Sequence, residues 1–358
     1  MLATVAATAV TILAIDLGKY KSVSCLYHRD TAEVQFATFE TGRIELQKLV
    51  ERHRPNVVVI EACALAGWVQ DLCQELNVRL LVANTSSEAW KFKHAKRKTD
   101  RDDALRLAQL TAMNQLPTVA IPQKTVREER SLMASRQMLV GRRVAVQNRI
   151  RATLMMQGLT APCGKSAWTE VGLAGIEQMA KPLADCAGEE LWRGLLDLGL
   201  TEYRQIVALL KSMEAVLNAR AAANPAVQLL QTIPGVGPRT AEVVNAYLDD
   251  PKRFKNRKQV SAFSGMVPKQ YQSSETDRKG RITRRGPALL RKMLVECAWC
   301  ALRYNAWARE IYARLTAGGT TRKKPAIVAV ARRLLVICWA MLRDGKPWRG
   351  AAAAAAAS

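Results

Sequence analysis

The chain has 358 residues, of which 49% are hydrophobic, and its 54 Lys and Arg against 31 Asp and Glu give a formal net charge of +23. This apolar content excludes a disordered chain, and the length allows two or three domains with real cores. The charge indicates a polyanionic partner, with nucleic acid as the first candidate and a membrane surface as the second. The basic residues are spread through predicted loops and helices rather than along one amphipathic face, which favours nucleic acid.

The cysteines and the apolar N-terminus indicate a cytoplasmic protein. Most of the eight cysteines lie in apolar runs and predict reduced core thiols rather than disulfides. Cys297 and Cys300 have metal-knuckle spacing, but no second pair or His cluster completes a zinc site. Residues 1–16 lack a basic segment before the apolar run, so we expect a disordered lead-in and a core strand, not a signal peptide. No run is long enough and free enough of charge to predict a membrane span.

Residues 1–125 predict an α/β domain. Three β-rich runs at Thr11–Asp16, Ser22–Tyr27 and Val34–Phe39 predict consecutive antiparallel strands. The alternation of helix and strand that follows predicts a mixed sheet with helices packed on it. Those later elements are a helix over Ile44–His53, a strand over Asn56–Glu61, a helix over Trp68–Leu76, a strand over Arg79–Val82 and a helix that opens at Lys98–Ala104 and ends near Met113.

Four carboxylates in this domain form a candidate metal site. Asp16 and Glu61 end two strands that we expect to be neighbours, and strand ends are where open α/β sheets bind ligands. Asp100 and Asp103 are three residues apart and share one helical face. If these acids converge they repel one another unless a divalent cation neutralises them. Two Mg²⁺ ions in such a cluster polarise a scissile phosphate and position the attacking oxygen.

Each acid also has an ordinary structural interpretation. Thr99 is a good N-cap, and Asp102 three residues later completes a capping box. An Asp at a strand end often caps a turn, and acids in a first helical turn complement the helix dipole. The joint pattern of strand-Asp, strand-Glu and Asp-x-x-Asp at a helix start is more specific than any one acid.

Residues 126–225 predict a helical coiled-coil region. Long charged helices with apolar residues at helical spacing are predicted over Val126–Leu159 and Leu191–Ala223. They suit coiled-coil pairing within the chain or between protomers, and a plain helical hairpin is the alternative. The stretch Gly164–Glu190 has no clear pattern.

Residues 226–350 predict a mainly α-helical C-terminal domain, followed by a low-complexity tail, 351–358, that we expect to be disordered. Gly235 and Gly237 lie in a tight turn between apolar helical segments, a pattern that resembles a helix-hairpin-helix. The backbone N–H groups of such a turn hold a DNA phosphate without reading sequence, although a glycine-rich turn also simply joins two helices. Further helices are predicted from Gly286 to Leu315 and over Ala326–Leu342.

A serine pair lies beside the densest cationic run of this last domain. Ser273 and Ser274 are predicted in a polar loop, and a hydroxyl beside fixed cations is what attack on a phosphodiester needs. The ordinary interpretation is a solvated basic loop whose serines cap turns. The cations, which together with Gly235 and Gly237 are the candidate nucleic-acid-binding residues, are Arg278, Lys279, Arg281, Arg284, Arg285 and Arg291.

These motifs together resemble the DEDD transposases of bacterial insertion sequences, the bridge-RNA-guided recombinases. The segments that carry the resemblance appear in family order and cover nearly the whole chain, with only the middle matching loosely. They are AIDLGK with Asp16, VVIEA with Glu61, KTDRDDA with Asp100 and Asp103, IPGVGPRTA, and FSGMVPKQYQSSE…GRITRRGPALLR.

The resemblance implies a RuvC-like N-terminal domain of ribonuclease H fold, a coiled-coil region and a C-terminal transposase domain. It implies that Asp16, Glu61, Asp100 and Asp103 are catalytic and bind Mg²⁺, with Mn²⁺ as a substitute. Ser273, which follows Tyr271-Gln272, matches the serine that links covalently to DNA. The family commonly has Gly after that serine where this chain has Ser274, so both serines remain candidates and Ser273 is preferred.

The resemblance also implies the partners. A noncoding bridge RNA pairs with donor and target DNA, and a homo-oligomer, dimer or tetramer, builds each active site from domains of different protomers. The location is the bacterial cytoplasm, in association with the nucleoid.

Three rival functions remain open from the sequence. A RuvC-like metal-dependent nuclease would cut branched DNA by hydrolysis with the same four acids, and Ser273 would then be structural. An actin-like sugar kinase or ATPase would use AIDLGK as a phosphate loop, but a second Asp-Gly motif is missing and the charge is wrong. A non-catalytic nucleic-acid-binding protein would leave the four carboxylates unexplained.

Overall fold

The computed structural model describes residues 10–84, 99–160, 164–273, 276–317, 319 and 323–350, and for residues 272, 273, 276, 277 and 279 it describes the backbone alone. The lead-in, the tail, Lys98, Cys163 and Ser274 lie outside the described residues. The chain forms two compact units, the first ending at Arg127 and the second beginning at Glu128. The three-part domain division stays a prediction.

The first unit is built on a five-stranded mixed sheet in the order β3-β2-β1-β4-β5. Neighbouring strands are antiparallel from β3 to β1 and parallel from β1 to β5. The two central strands, β1 and β4, are almost continuous apolar runs because both of their faces are covered. The mixed sheet is therefore confirmed, with strands β1 Thr11–Asp16, β2 Lys21–His28, β3 Val34–Glu40, β4 Val57–Glu61 and β5 Arg79–Ala83.

Helices cover both faces of this sheet. Helices α1 (Arg43–His53) and α2 (Ala66–Glu75) share a core with Leu13 and Ile15 of β1. The alternate residues of the same strand belong to a second core with the buried face of α3 (Asp100–Ala112), which packs against β1, β2 and β4. Successive side chains of a strand point to opposite faces, so one strand serves both cores.

The second unit begins within the first of two long paired helices. Helix α4 (Lys124–Met156) packs against α6 (Leu191–Ala223) through an apolar cluster, and Arg149 Nη2 lies 2.6 Å from Glu202 Oε2 across the pair. The structure thus shows pairing within the chain, and pairing between protomers stays a prediction. In its described residues, the stretch without a clear sequence pattern contains one short α-helix, α5 (Glu170–Glu177), and three single-turn 3-10 helices.

The remainder of the second unit is mainly helical around one large core. The helix expected from Gly286 to Leu315 is wrong as a single element, because Asn305 ends α10 and its Oδ1 accepts the Trp307 N–H that begins α11. The polar loop expected around Ser273 is also wrong, because this segment is an antiparallel hairpin. The elements are α7 Pro225–Gln231, α8 Pro238–Leu248, α9 Arg257–Phe263, β6 Pro268–Ser273, β7 Thr276–Ile282, α10 Ala288–Tyr304, α11 Ala306–Thr316 and α12 Lys323–Asp344.

One described helix, α12, is long and apolar enough to cross a membrane, contrary to the sequence expectation. Its most apolar stretch is 61% buried inside the fold, and Leu335 and Cys338 belong to the large core. A core helix of a compact domain passes the same test of length and composition, and the burial of α12 identifies it as such a helix.

Candidate active site

The central strands bring two of the predicted acids to one edge of the sheet. Strands β1 and β4 are parallel, and Ile15 pairs with Ile60 in register. Asp16 and Glu61, the next residues on each strand, therefore end neighbouring strands at the same edge. Both side chains are half-buried and both take part in polar interactions within the fold. The sequence prediction that these strands are adjacent is confirmed.

The other two acids lie at the start of α3, and a capping box fixes where that helix begins. Asp102 N–H donates to Thr99 Oγ1 at 3.3 Å, and Thr99 N–H donates to Asp102 Oδ2 at 3.2 Å. Asp100 is exposed, whereas Asp103 is 5% exposed on the face of α3 that packs against the sheet. The predicted capping box is confirmed, and it places Asp103 among buried residues of the first unit.

The donor chemistry of these four acids fits a divalent cation. Carboxylate oxygens are the hard ligands that Mg²⁺ and Mn²⁺ prefer, and a partly buried site strengthens their attraction for a cation. Across the described part of the chain, which includes all four acids, no group of three or more Asp, Glu, His or Cys residues is close enough to hold a metal ion. The structure thus brings Asp16 and Glu61 to one sheet edge, and the convergence of all four acids stays a prediction.

The preferred serine is the last residue of β6 in the second unit. Ser273 pairs with Thr276 and Tyr271 with Arg278, so the described backbone places Ser273 at the tip of the hairpin. Tyr271 is 61% exposed, and its ring lies against Gly280 on the opposite strand. A hairpin tip presents a residue to a large partner more readily than a buried strand does.

The base of this hairpin is closed by two tight glycine turns. Gly265 and Gly286 have φ of +66° and +103°, a region that side chains other than glycine rarely adopt. A Cβ on Gly265 would collide with the Arg285 carbonyl oxygen, and one on Gly286 with that of Phe263. The Arg284 N–H donates to the Gly265 carbonyl at 3.0 Å. The two segments that flank the hairpin are therefore fixed to each other.

The predicted cations differ in how freely they can reach a partner. Arg291 is tied to the hairpin base, since its Nη1 donates to the Gly286 carbonyl at 2.8 Å and to that of Ser264 at 3.3 Å. Burial, and then the nearby Arg284, lower the pKa of Arg291. Lys279 lies where only the backbone is described. The exposed members of the set are Arg278, Arg281, Arg284 and Arg285.

The glycine turn between α7 and α8 has two distinct glycines. Gly235 has φ of +92°, and a Cβ there would lie 2.8 Å from the Ala301 Cα, so close packing on α10 requires glycine. Gly237 is the exposed N-cap of α8 and makes no side-chain cap, and a Cβ added to it would meet no atom of the described residues within 4 Å. The first turn of α8 thus presents backbone N–H groups that suit a phosphate.

Reasoning from the sequence missed two features of this region. The hairpin lock at Gly265 and Gly286 was visible only as two isolated glycines on either side of the serine stretch. Glu242 on α8 was missed altogether, although an acid inside the apolar run TAEVV is an unusual pattern. The structure buries Glu242 to 5% exposure beside a cavity.

Comparison with known proteins defines the class to which these elements belong. Residues 13–156 match the profile of an IS110-type DEDD transposase domain, which spans the sheet, α3 and α4. Residues 227–313 match the profile described as "Transposase IS116/IS110/IS902 family", which spans α8, the hairpin and α10. A chain with both domains is a DNA transposase, an enzyme that cleaves DNA and transfers strands, and a DEDD domain of this kind implies use of a divalent metal.

Full-length relatives agree with this class. The chain is 29% identical over 347 residues to "Putative transposase y4pF/y4sB" of Sinorhizobium fredii, covering 95% of this chain and 86% of that protein. It is also 29% identical over 358 residues to "Transposase for insertion sequence element IS1111A" of Coxiella burnetii, covering 95% and 92%. The chain belongs to the IS110/IS116 family of insertion-sequence transposases.

Solved structures also include chains that are similar to this one. The "Thermus thermophilus RuvC structure" covers 30% of this chain and 99% of its own at 16% identity, with a TM-score of 0.22. A score this low carries no argument about function.

Proposed function

We propose that this transposase is guided by RNA and that it cuts and rejoins DNA through a covalent phosphoserine at Ser273. The observation that carries the proposal is the position of Ser273 at the tip of a hairpin with a closed base and exposed arginines. The match to the family profile over residues 227–313 includes the whole hairpin and supports the same assignment.

The serine chemistry conserves the energy of the phosphodiester. The Ser273 Oγ attacks phosphorus, an O–P bond forms to serine, and the bond to one deoxyribose oxygen breaks as the serine proton passes to that oxygen. A hydroxyl of another strand then attacks the phosphoserine and releases Ser273, so strands are rejoined without ATP. Arg281, Arg284 and Arg285 stabilise the negative charge that builds on the non-bridging oxygens.

The carboxylates serve the same step. Asp16, Glu61, Asp100 and Asp103 would hold the divalent cation, for which we propose Mg²⁺. When bound, the ion supplies a Lewis acid for the scissile phosphate. The neighbouring ends of β1 and β4 and the buried position of Asp103 support this role, because they hold three of the acids on fixed elements of one unit. In the proposed homo-oligomer, dimer or tetramer, carboxylates and serine from different protomers complete one site.

DNA backbone contacts would come from both parts of the second unit. The open N-terminus of α8 at Gly237 suits a phosphate, and Gly235 holds the turn that presents it. The candidate contacts on the hairpin side are Arg278, Lys279, Arg281, Arg284, Arg285 and Arg291. Such contacts fix position along the duplex and carry no sequence information.

Sequence specificity is assigned to a noncoding bridge RNA. Base pairing between the RNA and donor and target DNA selects the sites, so the protein needs mainly shape and backbone contacts, which a diffuse charge of +23 supplies. The protein without RNA should bind DNA weakly, without sequence preference and with strong salt dependence.

The test uses the full chain with donor and target DNA, with and without the RNA of its element, and with Mg²⁺ or EDTA. The proposal predicts joined donor–target products only when RNA and Mg²⁺ are both present. RNA-independent joining at a specific sequence would contradict RNA guidance. Cleavage without joining would favour a hydrolytic, RuvC-like nuclease instead.

A further inference from the structure

A cavity in the second unit lies apart from the serine hairpin. It has a volume of about 480 Å³ and lies between α4, α6 and α8. Leu132, Met133 and Leu217 contribute apolar walls, as does Val227 of α7, and Glu242, whose carboxylate oxygens are buried, also lines the cavity. The volume falls within the range of small-molecule sites, which combine apolar walls with a few convergent polar groups.

Glu242 is the residue lining this cavity whose buried side-chain oxygens have no hydrogen-bond donor among the described residues. Its side chain is 5% exposed, and both carboxylate oxygens are buried without a hydrogen-bond donor among the described residues. Arg239 Nη2 lies 3.2 Å from Oε1, an ion pair without hydrogen-bond geometry, and Arg239 itself donates to Asn218 at 2.7 Å. A buried carboxylate without donors costs free energy that a ligand carrying donors would recover.

The other charges around Glu242 are already paired with one another. Arg136 of α4 donates to Glu214 of α6 at 2.6 Å. Arg220 of α6 donates to Glu129 of α4 at 2.7 Å. Glu242 and Arg239 of α8 complete the charged groups that face the site from the three helices. Three acids and three arginines balance in charge, and the buried oxygens without a donor among the described residues are those of Glu242, while Arg239 Nη1 is a buried donor without an acceptor.

The chemistry selects one class of ligand. An anion would be repelled by Glu242, and a neutral apolar molecule would leave both oxygens without donors. Within the described ranges there is no cluster of three metal-ligating side chains, so a metal ion is not the natural guest. A guanidinium presents two parallel N–H groups that match both oxygens of a carboxylate, and an alkyl stem matches the apolar walls.

We propose that this cavity is a binding site for an alkylguanidinium group, with the guanidinium on Glu242 and its stem against Leu132, Met133 and Leu217. The guest is either a free small molecule or an arginine side chain of a polypeptide. The proposal is independent of DNA cleavage, since the cavity and the serine hairpin share no residue.

Binding should be linked to the protonation of Glu242. Burial is the largest cause that raises the pKa of Glu242, to about 7, with Arg239, Arg136 and Arg220 acting in the opposite direction and Glu129 in the same one. The ionised form, which accepts the guanidinium, therefore becomes populated between pH 6 and pH 8. The affinity for the cation should rise by about tenfold over that interval.

The experiment titrates the full chain, without nucleic acid, with n-butylguanidinium at pH 8 and pH 6 by calorimetry. N-acetylarginine methylamide tests the side-chain source, and n-butanol is the neutral probe with the same stem. We expect saturable binding of one or both guanidinium probes, stronger at pH 8, and no saturable binding of n-butanol. Binding of the free probe alone identifies a small-molecule site, and binding of both identifies a site that also accepts a peptide arginine.

Two variants separate the carboxylate from the walls of the cavity. Glu242→Gln keeps the shape and should weaken guanidinium binding at pH 8 by at least about tenfold, as expected for loss of a charged hydrogen-bond partner. Glu310→Gln makes the same change on the exposed surface of α11 and should leave binding unchanged. Absence of saturable binding to the native chain, or equal binding by native chain and Glu242→Gln, would overturn the proposal.

Discussion

The burial of Glu242 predicts an effect on the free energy of unfolding that can be measured without a ligand. Replacing it with Gln removes the charge, keeps the size and leaves the cavity walls in place. Because the carboxylate is 5% exposed and accepts no hydrogen bond from the described residues, its ionised form destabilises the folded state. We therefore expect Glu242→Gln to raise the free energy of unfolding at pH 8.

The magnitude follows from the pKa. Burial raises the pKa of Glu242 from its ordinary 4.5 to about 7. Each unit of pKa difference is worth about 1.4 kcal/mol, so ionising the buried acid costs about 3–4 kcal/mol. Between pH 4.5 and pH 7 the unfolded chain has lost the proton while the folded chain keeps it, so stability falls as pH rises through this window. Above pH 7 the loss is complete and constant.

The assay is urea unfolding of the native chain and of Glu242→Gln at pH 4.5 and pH 8, with hydrogen exchange of the α8 segment as the local measure of the second unit. We expect the variant to be more stable by about 1–3 kcal/mol at pH 8, because a buried Gln amide is also imperfectly satisfied, and nearly equal at pH 4.5. Glu310→Gln, on the exposed face of α11, controls for the change of net charge. If Glu242→Gln destabilises α8 at pH 8, or if its effect is the same at both pH values, ionised Glu242 does not destabilise the folded state.

Three further predictions concern the candidate active site. Gly286→Ala should lower the melting temperature and abolish strand joining, because φ of +103° and the clash at the hairpin base cost about 1–3 kcal/mol. The control Gly141→Ala, in open space on α4, should stabilise the chain by about 0.5–1 kcal/mol. Equal effects of the two substitutions in calorimetry would contradict this prediction. Thr99→Ala should cost about 1 kcal/mol by removing the N-cap of α3, and Thr99→Ser should restore it, as measured by hydrogen exchange of α3. Asp103→Asn should reduce Mg²⁺-dependent DNA cleavage in a gel assay by about a hundredfold or more. The control Asp30→Asn, at an exposed turn, should leave cleavage unchanged. Cleavage retained in Asp103→Asn would show that Asp103 is not part of the metal site.

The sequence predicted the first unit well for a physical reason. Strands β1 and β4 are nearly continuous apolar runs that end in Asp16 and Glu61. The apolar run predicts each strand, and the acid marks where it ends. The start of α3 was equally readable because Thr99 and Asp102 form a capping box of local contacts. The strand ends and the helix start depend on residues that are close together in the sequence, so the sequence alone can predict them.

The serine hairpin was missed because long-range contacts decide it. The segments from Pro268 to Ser273 and from Thr276 to Ile282 are polar and show no apolar alternation, so they lack the usual signal of a strand. Their pairing depends on the glycine turns at Gly265 and Gly286, which meet only in the folded chain. The break at Asn305 was missed because apolar residues continue at helical spacing on both sides of it.

The sequence predicted which residues belong to the candidate site but not how they are arranged in space. Its acids were found from their positions at strand and helix ends, and the preferred serine from its cationic neighbours and from the family resemblance. In the proposed mechanism the mutual placement of carboxylates and serine depends on metal, nucleic acid and oligomer contacts, which no local pattern encodes.

A covalent phosphoserine at Ser273 would leave the protein attached to cleaved DNA, and this attachment can be measured. The full chain is incubated with the proposed bridge RNA from its element, Mg²⁺ and end-labelled donor and target DNA. A protein–DNA adduct that resists denaturant is then sought in the native chain, Ser273→Ala, Ser274→Ala and Asp16→Ala. Attack by Ser273 predicts an adduct in the native chain and in Ser274→Ala, and none in Ser273→Ala or Asp16→Ala. Cleaved DNA without an adduct in any of the chains, and with cleavage lost in Asp16→Ala, would contradict a phosphoserine intermediate and identify a metal-dependent hydrolytic nuclease.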